Sequence, residues 1–293
     1  MKPANWFEGD VQANGIKIHY YRTGGQKPPV VLNHGAGDDG LCWTRVAKAL
    51  EIEYDVIMLD ARGHGLSDSG MGDYTSEKRA EDIARAIQAL ELEKPVIGGH
   101  SLGADASLHL AAQHPALARA IFLEDPPIFL PDEPIMGGPL AEGNRNPTQI
   151  MMMFMEVFRI APRFLCKLAA EKMMPDYPDI EINPWLDAKK CLSKDFLKSM
   201  RTMSLGISGG IPTEILEKIN VPVLLIIGDR EKGSIVSVEV AKTMQKTTKD
   251  LRIIHLEGAN HDIRRKRFDG YISALRNFLR ESYQEESVFE NLA

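Results

Sequence analysis

Through the first 125 residues, short apolar runs without alternation are separated by longer stretches of helical pattern. Val30–Leu32, Val56–Leu59, Pro95–Ile97 and Ala120–Leu123 are too short for helices and mostly lack polar positions. That is the pattern of strands buried on both faces. Between the last three lie two helix-length segments. Glu77–Leu90 sets Ile83, Ile87 and Leu90 on one face, and Leu102–Gln113 is rich in Ala and Leu. Alternating strand and helix predicts an α/β fold, a mostly parallel sheet covered by helices on both sides.

The alternation stops at Pro126. From there to about Ile211 no convincing strand is found, and prolines cluster at 126, 127, 131, 134 and 139. Helical patterns take over at Gln149–Ile160, Pro162–Lys172 and Ser193–Met203. After Pro212 the rhythm resumes, with a strand at Val221–Ile227, a short helix at Ser237–Gln245 and a strand at Leu251–His255. A last helix, Ile263–Arg280, aligns Ile263, Phe268, Tyr271, Leu275, Phe278 and Leu279 on one face. The expected organisation is an α/β core of residues 1–126 and 212–293, interrupted by a helical insertion at 127–211. There is no internal repeat, and the only low-complexity stretch is Met151–Met153.

Composition narrows the function classes. A net charge of −6, from 35 Lys and Arg against 41 Asp and Glu, lacks the basic footprint of a nucleic-acid binder. No run approaches the roughly 20 apolar residues of a membrane span, and Met1–Asp10 has no apolar core for a signal peptide. The three cysteines, Cys42, Cys166 and Cys191, are odd in number and lack CxxC spacing. They read as free thiols in a reducing compartment, with neither disulfides nor a metal site. A cytoplasmic protein acting on a small molecule is the expectation; oligomeric state is not legible.

The strongest chemical signal is Gly99-His100-Ser101-Leu102-Gly103, between a strand and a helix. This is G-x-S-x-G in the strand–turn–helix setting that exposes a nucleophilic serine above a sheet. A serine helix cap with incidental glycines is the plain alternative. A nucleophilic serine needs a base, and of the eight histidines His261, in Gly258-Ala259-Asn260-His261 between the last strand and the last helix, is best placed. His255 reads as a strand residue, His100 belongs to the turn, and His109 and His114 lie along or after the following helix. His34-Gly35-Ala36, after the first buried strand, supplies a loop whose amides can face the serine. The expected oxyanion donors are the N–H groups of Ala36 and Leu102.

With these motifs the chain resembles the α/β-hydrolase superfamily. Asp60-Ala61-Arg62-Gly63-His64-Gly65-Leu66-Ser67 is similar to the D-x-R-G-x-G-x-S stretch that follows the fourth strand there. The order serine, acid, histidine also agrees. The resemblance covers essentially the whole core and implies a helical cap after the sixth strand, like that of esterases, C–C bond hydrolases and perhydrolase-like members. It implies no metal or organic cofactor.

The acid stays open between two places. Most members carry it after the seventh strand, where Gly228-Asp229-Arg230-Glu231 offers Glu231 before Asp229, in a loop about two residues longer than usual. A minority draw it from the end of the sixth strand, where Asp125 stands in Leu123-Glu124-Asp125-Pro126. Two further features have bland readings: Met151–Met155, with Phe154 and Phe158, as the buried face of a cap helix, and Arg264–Arg267 as a solvated helix face rather than an anion site.

Together these residues point to a serine hydrolase that cleaves a carboxylic ester or lactone of a small to medium apolar substrate through an acyl-enzyme on Ser101. The alternatives are a C–C bond hydrolase or perhydrolase using the same residues, and a small-molecule receptor on a hydrolase fold. Ser101 stands where epoxide hydrolases and haloalkane dehalogenases carry Asp, which disfavours those two.

Overall fold

A computed structural model describes residues 2–137, 147–202 and 209–290, with backbone alone at 147–148 and 285–290. Its centre is an eight-stranded sheet in the order β1-β2-β4-β3-β5-β6-β7-β8. The strands are β1 (Phe7–Ala13), β2 (Ile16–Arg22), β3 (Pro29–Asn33), β4 (Asp55–Leu59), β5 (Val96–His100), β6 (Ala120–Glu124), β7 (Val223–Ile227) and β8 (Leu251–His255). From β4 to β8 neighbouring strands are parallel, and β1 and β2 add an antiparallel edge. Every residue of β4, β5, β6 and β7 is buried, as expected for apolar runs without a polar face.

Side chains leave the strands alternately to two layers. Val31, Ile57, Ile97, Ile121 and Leu225 meet α2 (Ser76–Ala89), α3 (Leu102–Gln113), α8 (Thr213–Leu216) and α9 (Val238–Thr247) on one side. Val30, Met58, Val96, Phe122 and Leu224 meet α1 (Thr44–Leu50), α10 (Ile263–Lys266) and α11 (Phe268–Glu290) on the other. Between β6 and β7 come α4 (Pro147–Ile160), α5 (Arg163–Met173), α6 (Asp179–Cys191) and α7 (Lys194–Arg201), with no strand among the described residues. No described helix is long and apolar enough to cross a membrane.

Four expectations are corrected. The hairpin β1–β2 is absent from the sequence reading, although Asn14-Gly15 marks it: both residues adopt positive φ (51° and 81°), which a two-residue turn requires. α1 and α6 were likewise unforeseen, α6 because Pro184 stands inside it. The last helix breaks at Arg267 into α10 and α11. Pro139 and Met203, used above to outline the insertion, lie outside the described residues.

Phe122 is fully buried, and its ring fills the space left by Gly98, where a Cβ would fall 2.2 Å from it. Phe122→Ala should therefore lower unfolding free energy by about 3–5 kcal/mol, read by urea denaturation.

Candidate active site

Ser101 sits between β5 and α3 with φ 53° and ψ −118°, a positive-φ conformation that a residue with a Cβ adopts only under constraint. The constraint comes from β3. A Cβ at Gly99 would lie 2.4 Å from the Asn33 carbonyl oxygen, and one at Gly103 2.2 Å from it. Both glycines are needed because the turn presses directly onto Asn33. The Asn33 side chain ties the contact, donating to the Gly98 carbonyl and Ser107 Oγ at 3.1 Å each. The Ser101 amide donates to the Glu124 carbonyl at 2.9 Å.

The loop after β3 closes on the same turn. Gly35 allows that approach: a Cβ there would lie 2.8 Å from His100 Nδ1 and 3.2 Å from Ser101 Cβ. His34 donates from Nδ1 to the Gly35 carbonyl (2.8 Å) and accepts the Ala61 amide at Nε2 (2.9 Å). His64 accepts the Gly37 amide at Nε2 (3.1 Å), with Nδ1 on the Arg62 carbonyl. Burial pushes both imidazoles below the ordinary range, so they remain neutral and keep these tautomers. Leu102 opens α3, where an amide has no intrahelical carbonyl to bond. Leu102 shares an apolar cluster with buried Met152 and Met155, and Ala36, next to Gly35, packs against it.

The stretch Asp60–Ser67 braces this loop. Asp60 accepts the Gly40 amide (2.7 Å) and the Leu66 amide (2.8 Å), and Arg62 forks onto Asp82 at 2.6 and 2.7 Å. A cavity enclosing about 510 Å³, open mouth included, lies beside it between Ala36, Leu102, Ile83 and Phe196; Ser101 and His261 do not line it.

His261, in the loop after β8, lies against the residue preceding Ser101. Its ring packs on that of His100, with centroids 4.5 Å apart, and its carbonyl accepts from His100 Nε2 at 3.0 Å. The partner of His261 Nδ1 is Asp125 Oδ2, at 2.7 Å. A carboxylate only accepts, so Nδ1 carries the proton and the Nε2 lone pair is free. Burial alone would push this imidazole down. The hydrogen bond and charge of Asp125, backed by Asp262 and Glu124, outweigh it and hold the pKa above the ordinary histidine value.

Asp125 is fully buried, and its two oxygens also accept the amides of Ile235 (2.8 Å) and Val236 (2.9 Å). Neither β7-loop candidate meets His261. Glu231 is exposed on a 3₁₀ turn, Arg230–Lys232. Asp229 turns away, accepting from His255 Nε2 (2.8 Å) and the Gly258 amide (2.7 Å). The loop presents the Ile235 and Val236 amides to Asp125, while its own Asp229 is engaged by His255 and Gly258. Glu231, preferred above over Asp229, is corrected accordingly.

Arg264 and Arg265 are corrected too, being buried rather than solvated. Asp38, at the end of the loop after β3, pairs with Arg265 (2.8 Å), Lys189 of α6 (3.1 Å) and Arg264 (3.4 Å). Arg264 also meets Glu124, and Arg265 meets Glu181 and Asp262, so neither guanidinium is left for an outside anion. Burial opposes ionisation of Asp38, yet the three cations hold its carboxyl well below the usual range. Lys189 adds a bond from Nζ to the Gly37 carbonyl (2.6 Å), which fastens α6 to the loop. Sequence patterning had no means of finding this network, because its members are far apart along the chain.

A family model for the alpha/beta hydrolase fold matches residues 28–148. An N-formylmaleamate deformylase from Pseudomonas putida is 27% identical over 277 residues, 92% of this chain and 96% of that protein. A solved N-formylmaleamic acid deformylase from the same species superposes with a TM-score of 0.76 at 21% identity, covering 92% of this chain and all of that one. The fold is that of the α/β-hydrolases. A further solved structure of this fold, the enol-lactonase from Burkholderia xenovorans, gives a TM-score of 0.70 at 20% identity, over 92% of this chain and 99% of its own.

Removing Asp38 would leave three buried cations short of their shared anion. Asp38→Ala should cost about 3–5 kcal/mol of stability, measured by thermal or denaturant unfolding.

Proposed function

We propose that this protein of α/β-hydrolase fold is a serine hydrolase working through an acyl-enzyme on Ser101, with His261 as base and Asp125 as the acid. The observation that carries the reading is the 2.7 Å bond from His261 Nδ1 to buried Asp125, which leaves Nε2 unprotonated beside the strained serine turn. In this mechanism Ser101 Oγ attacks the acyl carbonyl carbon and its proton passes to His261 Nε2. Asp125 stabilises the imidazolium, and the Ala36 and Leu102 amides bind the oxyanion. The leaving group departs with the proton from His261. Water, deprotonated by the same imidazole, then attacks the ester carbonyl and frees Ser101.

The substrate class proposed is a carboxylic ester or lactone of small to medium, fairly apolar shape. Helices α4–α7, within an insertion at 127–211, act in this reading as a cap, with Met152 and Met155 against the acyl-binding side. A second reading is amide hydrolysis, favoured by the deformylase that matches nearly the whole chain. It uses the same acyl-enzyme, the amine leaving after protonation by His261.

The first test is a fluorophosphonate probe with peptide mapping, followed by aryl esters, lactones and N-formyl or N-acyl amides compared by kcat/KM. Labelling at Ser101 alone, abolished in Ser101→Ala, is expected; an unlabelled folded protein would reject the proposal. The better of ester and amide substrates decides between the two readings.

Because Asp125 raises the His261 pKa, the base is lost on acidification earlier than for an ordinary imidazole. The profile of kcat/KM should rise with pH through a midpoint above about 6.5. Asp125→Asn should lower kcat on the order of 10⁴-fold, by removing the group that fixes the tautomer.

A further inference from the structure

The loop after β7 places an arginine behind the acid. Arg230 Nη1 donates to the carbonyl oxygens of Ser234 (2.9 Å) and Ile235 (2.8 Å). These two carbonyls belong to the same peptide units as the Ile235 and Val236 amides, which donate to Asp125 Oδ2 and Oδ1. No peptide bond in the described chain is cis, so in each unit C=O and N–H point in opposite directions. Each planar unit thus has the guanidinium at one end and the Asp125 carboxylate at the other.

We propose that Arg230 is a positioning residue for the Asp125–His261 pair, acting through the Ser234–Ile235 and Ile235–Val236 peptides. This rests on the serine-hydrolase reading above. Two physical effects follow. One nitrogen bound to both carbonyls fixes the planes of both peptides, and with them the directions of the two N–H bonds that orient Asp125. A cation on each carbonyl also polarises the amide and strengthens its N–H as a donor, as in other hydrogen-bonded chains.

The loop is prepared for this arrangement. Gly233 takes φ 106°, turning the chain back so that Arg230 reaches residues 234 and 235. Buried Ser234 closes the base of the turn, its Oγ accepting the Gly228 amide at 3.2 Å. Nη1 also reaches the Ile135 carbonyl at 3.2 Å, while Nη2 reaches the Pro134 carbonyl and lies 3.5 Å from Glu133 Oε2. A purely structural role would be to tie that segment down.

The test compares Arg230→Met, Arg230→Lys and Glu133→Gln in the full chain. The readouts are the rate of fluorophosphonate labelling, kcat and KM separately, and the downfield proton NMR signal of His261 Nδ1–H. Arg230→Met should slow labelling and kcat by about 10- to 100-fold, as for a small misplacement of a reacting group. KM should stay within about twofold while the Nδ1–H signal shifts or broadens. Arg230→Lys, whose single ammonium lacks the planar fork, should also be slow. It carries the test should the methionine variant not fold. Glu133→Gln should keep the wild-type rate, because it leaves both peptides bound.

A wild-type labelling rate and an unchanged His261 signal in either Arg230 variant would overturn the inference. So would equal loss in Glu133→Gln, which would make the segment tie the cause. Absent labelling of the wild-type protein would instead reject the hydrolase reading, and the NMR comparison would still judge the Arg230 coupling by itself.

Discussion

The close approach of β5 and the start of α3 to the Asn33 backbone is the constraint on which the site depends. It admits no side chain at 99 or 103, and it holds Ser101 at a strained positive φ. The same Asn33 ends β3, so the loop that carries Ala36 departs from the point against which the serine turn is pressed. Loop and serine are therefore positioned by a single packing contact. The cost of the strained φ is met by the sheet beneath, where β3 and β5 pair directly and every residue of β5 is buried.

A second set of forces is electrostatic and lies around that loop. Asp38 draws together Lys189, Arg264 and Arg265 from two distant parts of the chain, with Glu124 and Glu181 completing the charge balance. Buried ions are poor sources of net stability, since desolvation opposes them, but a fully paired set tolerates few alternative arrangements. Here the pairing links α6, α10 and the end of β6 to the loop beside Ser101. Glu124 also connects the two systems: its carbonyl accepts the Ser101 amide while its carboxylate binds Arg264.

The carboxyl ends of the parallel strands supply the remaining parts, as the topology of an open α/β sheet favours. β6 ends in Asp125, the loop after β7 brings the amides of Ile235 and Val236, and the loop after β8 brings His261. Asp229, which does not reach His261, still steadies the loop that carries it through the Gly258 amide. Acidic residues in one loop thus divide between holding backbone and facing solvent, and the carboxylate that meets the imidazole comes from the neighbouring strand.

Much of this was legible in the chain itself. Unalternating apolar runs mark strands buried on both faces, and a serine between two glycines at a strand–helix junction marks the turn, because both are local consequences of side-chain size and period. The loop positions of His261 and Ala36 follow from the strand order. Asn14-Gly15 marks the first hairpin in the same local way, through the positive φ that its turn requires. Three matters belonged to the tertiary structure alone: Asp125 rather than Glu231 beside His261, Arg264 and Arg265 buried rather than solvated, and Arg230 on the peptides that bind Asp125. Each depends on which segments meet across the top of the sheet. A carboxylate or guanidinium has the same local pattern in solvent as in a buried pair, and only the partners brought to it by folding distinguish the two.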